Sequence, residues 1–507
     1  MIECELIMSR RYKEGANRQQ NNLLPPALED YVLADNPVRA IDAFVDCLDV
    51  SALGYTNTRI HGDQGGQAAF PPSSLLKLYL YGYLNHVRSS RKLAREAVRN
   101  LELIWLLEDL KPSYKTIANF RKDNAKALKA THREFILLCK SLALFGGETV
   151  AIDGSFFNGN ASNGSIQTKE QLKKELKKLD NHIAEYQKQM DECDQQERGK
   201  GVVTPVSDGQ LVEKLMALKE RQSLRQEQIK TLDESGETQI SNTDTDARML
   251  SKNGKVVTGF NVQIAVDDKH KLIVADEVTN DGNDSDLLSS MAIAAKETLG
   301  VDTLDVLADA GYYEGDNLKT CEENGIIAFV AISTKDYATE ENERYRRHDF
   351  QYDKEQDCYI CPQGQSLNAV GDWKNKRGKL QQVYISKKTI CAQCPIKIRC
   401  LGKKSQRREI MRWEHEDVLD RHRQRMIENP SRMRERGGIV EHLFGTLKRR
   451  AGWDHFLVRG FEKVRGEWSI MALCYNLSRV INILGLDALQ EIFAQRRAEM
   501  QKNVAMA

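Results

Sequence analysis

Apolar positions recur along the chain at helical and at strand spacings, and the changes of spacing mark out its parts. Within residues 432–460, Val440, Phe444 and Leu447 stand at i, i+4 and i+7, which predicts a helix with one stripe turned toward a core. Glu441, Gly445 and Lys448 share a neighbouring stripe by the same spacing. The segment PPSSLLKLYLYGYLNHVRSSRKLAREAVRN predicts two helices parted near Ser89 and Ser90, with Ser90 placed to cap the second. An apolar run over residues 101–110 contains Trp105; LKPSYKTIANFRKDN then gives a turn at Pro112 and Ser113 and a helix from near Thr116. Before these, the chain is mixed and partly helical, with a helix start at Asn36 and Pro37. Residues 1–145 therefore read as an all-helical domain, bounded by Gly146 and Gly147.

The spacing then changes. ETVAIDGSFF is a short strand-like run ending in an acid, Asp153, followed by Gly154. Over residues 167–233, Leu172, Leu176, Leu179, Ile183, Tyr186 and Met190 step by 4 and 3 in alternation. Leu211, Leu215, Leu218, Ile229 and Leu232 keep that phase, interrupted at Gln222 and Arg225, and Gly199, Gly201 and Pro205 break the helix between the two halves. This predicts an antiparallel coiled-coil hairpin over residues 167–235. It reads as an insertion, because strands resume behind it: KVVTGFNVQIAVDD and KLIVADEVTN, joined by a turn at Asp267 to His270. A helix over residues 286–299, the strand TLDVLADAGYYEG ending in Asp309, a helix over residues 314–324 and the strand GIIAFVAI complete a mixed α/β sheet with flanking helices. Residues 146–345 and 405–485 are the two parts of that domain, and EWSIMALCYNLSRVINILG is a helix that closes its core. The tail, residues 486–507, reads as polar and poorly specified.

Composition narrows the class. With 507 residues and 41% hydrophobic content, the chain is long enough for two to four domains with a substantial core. It has no apolar run of transmembrane length and no leader-like N-terminus, which predicts a cytoplasmic protein with no membrane partner. Net charge is +1, but residues 397–450 hold sixteen Lys/Arg against eight Asp/Glu, a surplus of eight. That is the footprint of a polyanion-binding zone or, more blandly, a solvated basic face. Arg91, Lys92, Arg95, Lys115, Arg121 and Lys122 on the short N-terminal helices fit either a DNA-binding domain or a bundle whose basic residues face water. Eleven cysteines are scattered singly except for Cys358, Cys361, Cys391, Cys394 and Cys400. Cys361-Pro and CAQCPIKIRC place thiols at both ends of a loop, which matches a tetrahedral, structural Zn²⁺ site: five thiols compete for four places, Cys361, Cys391, Cys394 and Cys400 are the expected ligands, and whether Cys358 ligates stays open. Residues 346–404 are thus expected to form a small zinc-binding insert.

Asp153 and Asp309 each end a strand, and Glu441 lies on a later helix. Three such carboxylates can converge at one sheet edge and hold Mg²⁺ or Mn²⁺. Two ions about 3.5–4 Å apart serve phosphodiester chemistry by activating the attacking oxygen and stabilising the leaving one. The blocks AIDGS, NTDTDARM with GFNVQIAVD, ADAGYYEG and EHLFGTLKRRAGWDHFLVRG, in this order behind the helical N-terminal segment, resemble the insertion-sequence DDE transposases of bacteria over most of the chain. The resemblance implies a ribonuclease-H-like catalytic fold with Asp153, Asp309 and Glu441 as the metal-binding triad. It also implies double-stranded DNA as partner, as terminal inverted repeats and target, with the protein acting at the bacterial nucleoid as a homodimer or higher oligomer. Arg436 and Lys448 match an arginine before the glutamate and a lysine seven positions after it, both near DNA, with Arg449 and Arg450 beside them. Met433 departs from the pattern, where family members often carry tyrosine. Two readings follow: a transposase that cuts and rejoins DNA, and a catalytically inactive DNA-binding protein of transposase descent.

Overall fold

The computed structural model describes residues 27–56, 68–200, 208–252, 254–332, 345–376, 378–402 and 404–506. Six helices open it: α1 (Val38–Asp46), α2 (Pro72–Leu84), α3 (Ser90–Arg99), α4 (Leu101–Leu106), α5 (Tyr114–Asp123) and α6 (Ala125–Ser141). Asn36 starts α1 as expected, its side chain accepting from the Val38 amide at 2.9 Å. At the start of α3, Ser89 rather than Ser90 is the capping residue and makes no side-chain cap bond. Side-chain caps in this region are Asn100, which accepts from the Glu102 amide at 3.0 Å and starts α4, and Ser113, which accepts from the Thr116 amide at 3.2 Å and starts α5.

Strand β1 (Thr149–Asn158) follows, then β2 (Ile166–Thr168), the long helices α7 (Lys169–Lys200) and α8 (Asp208–Ser235), and β3 (Gln239–Ser241). Lys169 pairs with Asp233, Arg225 with Glu175 at 3.0 Å, and Gln222 with Asp180 at 2.6 Å, so the two helices run antiparallel. The polar residues that interrupt the heptad phase are therefore the ones that bond across it, while Leu172, Leu232 and Ile240 bury its base. The sheet resumes with β4 (Arg248–Lys252), β5 (Lys255–Asp267) and β6 (Ile273–Thr279), then α9 (Leu288–Leu299), β7 (Leu304–Ala308), α10 (Gly315–Glu323) and β8 (Ile326–Val330). β5 takes β4 and β6 along one edge and β1 along the other, all antiparallel; β7 and β8 then extend the sheet parallel to β1.

The cysteine-containing region is chiefly β-structure: β9 (Gln351–Asp353), β10 (Cys358–Ile360), β11 (Ser366–Lys376) and β12 (Lys379–Ile385), with the short helices α11 (Lys388–Ala392) and α12 (Lys397–Cys400). β13 (Glu409–Trp413) completes a five-stranded antiparallel sheet and carries it past residue 404. Phe350, Tyr359, Leu367, Tyr384 and Ile410 give it a small core of its own. The chain ends with α13 (Glu416–Glu428), α14 (Arg432–Gly445), a π turn over Thr446–Arg450, α15 (Phe461–Leu484) and α16 (Leu486–Met506).

One continuous apolar core joins the N-terminal helices, one face of the large sheet, α14, α15 and α16. The tail is correspondingly not poorly specified: Leu489 and Phe493, one helical turn apart, are fully buried, and Phe493 packs against Phe44 of α1 with ring centroids 5.5 Å apart. Two apolar residues in an otherwise polar segment suffice when they fall on one face. Arg121 also departs from expectation. It is buried and pairs with the fully buried Glu467 of α15 at 3.2 Å, so it belongs to the core and not to a DNA-facing surface.

His422 of α13 is fully buried and accepts the Val330 amide of β8 at 3.1 Å. Burial, aided by Arg425 and Arg423, pushes its pKa down to about 4. An unfolded histidine takes a proton below about 6.5, whereas this one stays neutral until about 4. Stability should therefore be intact above pH 6.5 and fall by up to about 3 kcal/mol between pH 6.5 and 4. Urea unfolding at pH 7 and pH 4.5 checks this: His422→Gln should be less stable than wild type at pH 7 yet lose less on acidification.

Candidate active site

Asp153 does not end its strand as the sequence pattern predicts: it lies in the middle of β1, because Phe157, buried against Phe444 and Trp468, carries the strand past it. The parallel register pairs Ala151 with Leu307. Asp153 and Asp309 each follow that pair by two residues. Asp309 leaves β7 in extended conformation and turns its carboxylate back to accept the Gly311 amide at 2.8 Å. The structure thus places these two acids on neighbouring central strands, at the C-terminal end of β7.

A carboxylate that the sequence pattern does not single out stands beside them. Asp284, in the loop after β6, is buried, and its Oδ1 accepts from Asn261 and Gln263, both at 2.8 Å. A Cβ added to Gly154 would come within 2.2 Å of Gln263 Nε2 and 3.0 Å of Asp284 Oδ1, so only glycine after Asp153 lets these groups approach the strand. Tyr312 donates to Gln263, and burial together with the charges of Asp284, Asp153 and Asp309 raises its phenol well above the ordinary range. In the sequence Asp284 is one of three acids in NDGNDSD, with nothing local to set it apart.

Glu441 stands on α14, whose Val440 and Phe444 are buried as the stripe predicts. Its side chain is 69% exposed, with Arg436 at 3.7 Å. α14 packs on the face of β1 and β7 that carries Ala151, Phe157 and Leu307, the face Asp153 shares by alternation. Gly445 leaves open space beside it. Lys448 donates to Ser155 Oγ at 2.6 Å and to the Phe156 carbonyl, with its ammonium 4.2 Å from the Phe157 ring centre, so it grips β1 two residues beyond Asp153. Among the described residues no three His, Cys, Asp or Glu side chains are close enough to hold a metal ion as they stand. The donor set at the C-terminal end of β7 is nevertheless one of hard carboxylate oxygens, which suits Mg²⁺ or Mn²⁺.

The basic zone is narrower than its residue count. Arg412 is engaged by Asp420, Arg421 by Glu322 and Asp417, Arg423 by Asp420, Arg425 by Glu322 and Arg432 by Asp305. Arg449 and Arg450 are exposed. In the N-terminal helices Arg91, Arg95 and Lys115 are exposed, Arg91 lying over the Tyr114 ring at 5.4 Å.

The four cysteines Cys361, Cys391, Cys394 and Cys400 gather at one end of the small sheet. Burial raises the Cys400 thiol; Arg408 opposes this, and the neighbouring Cys391, Cys361 and Cys394 add to it. Cys358 is buried apart from them, near Asp353 and Asp357. As they stand, the four thiols are not close enough together to enclose a metal ion.

The family described as the transposase DDE domain matches residues 229–477, a stretch that includes Asp309 and Glu441. A second, described as a transposase domain, matches residues 26–123. The chain belongs to the insertion-sequence DDE transposases. No curated protein matches this transposase. Among solved structures it is similar to the piggyBac transposase synaptic complex with hairpin DNA, at 9% identity and a TM-score of 0.31, over 93% of this chain and 80% of that one. Among the transposase's described residues no single helix is long and apolar enough to cross a membrane.

Proposed function

We propose that this transposase is catalytically active: it binds the terminal inverted repeats of an insertion sequence and carries out metal-dependent DNA cleavage and strand transfer. The observation that carries the reading is that Asp153 on β1 and Asp309 just past β7 each follow the parallel pair Ala151 and Leu307 by two residues, with Glu441 on the helix that packs on the same face. The strand order β6-β5-β1-β7-β8, three antiparallel and then parallel, supports a ribonuclease-H-like catalytic fold. Asp153, Asp309 and Glu441 would hold Mg²⁺ or Mn²⁺, which when bound activates the attacking oxygen and stabilises the leaving one. Arg436 holds the glutamate's approach, and Lys448 fixes β1 next to Asp153.

In this reading residues 1–145 read the DNA ends, with α3 and α5 presenting Arg91, Arg95 and Lys115, while Arg449 and Arg450 grip backbone without reading sequence. Residues 146–345 and 405–485 form the catalytic domain, α7 and α8 a coiled-coil hairpin within it, and two or more copies assemble on DNA. Met433 favours the second reading, an inactive DNA-binding descendant. A supercoiled plasmid carrying the terminal repeats separates the two: nicking or linearisation at the repeats in Mg²⁺ is expected, and binding without any cut would overturn activity.

The cysteine set should hold one structural zinc. Metal analysis of freshly purified, reduced protein should find about one Zn²⁺ per chain, reduced by Cys391→Ser or Cys394→Ser but not by Cys358→Ser. Zinc-free protein with an intact small sheet would show that the aromatic core alone suffices.

A further inference from the structure

We propose that the groove between the small β9–β13 sheet and α13 holds the phosphate backbone of DNA that leaves the candidate active site, an assignment that rests on the transposase reading above. The groove encloses about 1100 Å³, and seven Lys and Arg side chains line it against two Asp. Its charge is therefore complementary to a polyanion and not to a neutral or apolar partner.

The individual side chains sharpen this. The α13 arginines and Arg412 are already engaged by Asp417, Asp420, Glu416 and Glu322. Arg346, Lys354 and Arg408 have no carboxylate within ion-pair distance among the described residues. The Arg408 guanidinium lies over the Phe350 ring at 5.1 Å and that of Arg412 over Tyr352 at 3.6 Å. Stacking fixes a planar guanidinium in one orientation, so less freedom is lost when it meets a phosphate.

Position supplies the second argument. Tyr313 lines the groove and follows Asp309 by four residues, through the short turn Ala310–Tyr312. The groove therefore borders the segment that carries Asp309, and its unpaired charge among the described residues is positive.

The test is salt-titrated binding of full-length protein to duplex DNA carrying a terminal repeat. Substituting Arg346→Ala, Lys354→Ala and Arg408→Ala together should lower the slope of log affinity against log salt by about 2 to 3, close to one for each phosphate no longer neutralised. The charge-keeping pair Arg346→Lys and Arg408→Lys should leave the slope near wild type. A triple variant that keeps the wild-type melting temperature and the wild-type slope would overturn the assignment, as would a Lys pair that loses as much slope as the alanine set. Wild-type protein with no salt-dependent DNA binding would overturn the transposase reading itself.

Discussion

Asp153→Ala, Asp309→Ala and Glu441→Ala should each reduce DNA cleavage by about a thousand-fold or more, ~4 kcal/mol of transition-state stabilisation, while affinity for end DNA stays within about twofold. The two readouts separate because the three side chains are metal donors in the proposed site and not phosphate contacts. Asp153 and Asp309 stand on or just past neighbouring parallel strands, so losing either should be equivalent. Glu441 stands exposed on α14, and removing it should leave the melting temperature unchanged. Cleavage in Mg²⁺ or Mn²⁺ and filter binding of the same preparations provide the check. A variant that still cuts at the wild-type rate would remove that residue from the site.

Glu467→Ala should have the largest effect on stability, about 3–5 kcal/mol. The carboxylate is fully buried in α15 and receives Tyr83 at 2.7 Å, Arg88 at 3.1 Å and Arg121 at 3.2 Å, while its other oxygen accepts the Leu457 and Val458 amides at 2.8 and 3.2 Å. Burial alone would raise its pKa, yet Arg121 and Arg88 hold it below the usual carboxylate range. Alanine would strand two buried guanidinium groups and orphan three further donors. Because Arg88 and Arg121 come from the N-terminal helices and Glu467 from the last part of the catalytic core, both regions should loosen together. Glu467→Gln, which keeps the side-chain volume and one acceptor oxygen but turns its NH2 donor toward the remaining donors, should cost less than alanine. Urea midpoints for the two variants measure this, and a loss below about 1 kcal/mol for alanine would show the network to be dispensable.

Residues of these two groups differ in how far the sequence betrays them. Alternation and strand length are enough for β5, β6 and β7, and the i, i+4, i+7 stripe of Val440, Phe444 and Leu447 correctly faces the core. Asp153 and Asp309 stand out because an acid after an apolar run is unusual for a buried strand. Asp284 and Gln263 do not, since their meaning lies in tertiary contacts across Gly154 that no local pattern encodes. Arg121 looks like its neighbours Lys115 and Lys122; only the distant Glu467 makes it a core residue. For the same reason α16 is not legible locally: Leu489 and Phe493 become a docking face only once α1 offers Phe44. The surplus of charge over residues 397–450 overstates the free positive surface, because Glu322 and Asp305, far off in sequence, neutralise part of it.

Joining, as distinct from cutting, tests the central claim most directly. Precut terminal-repeat DNA, target plasmid and Mg²⁺ are incubated with wild-type protein and with Asp309→Ala. The account predicts covalent joining of repeat ends to the target by wild type and none by the variant. Wild-type protein that binds the ends and cleaves them but never joins them would contradict it, and would make the protein a nuclease of the same fold.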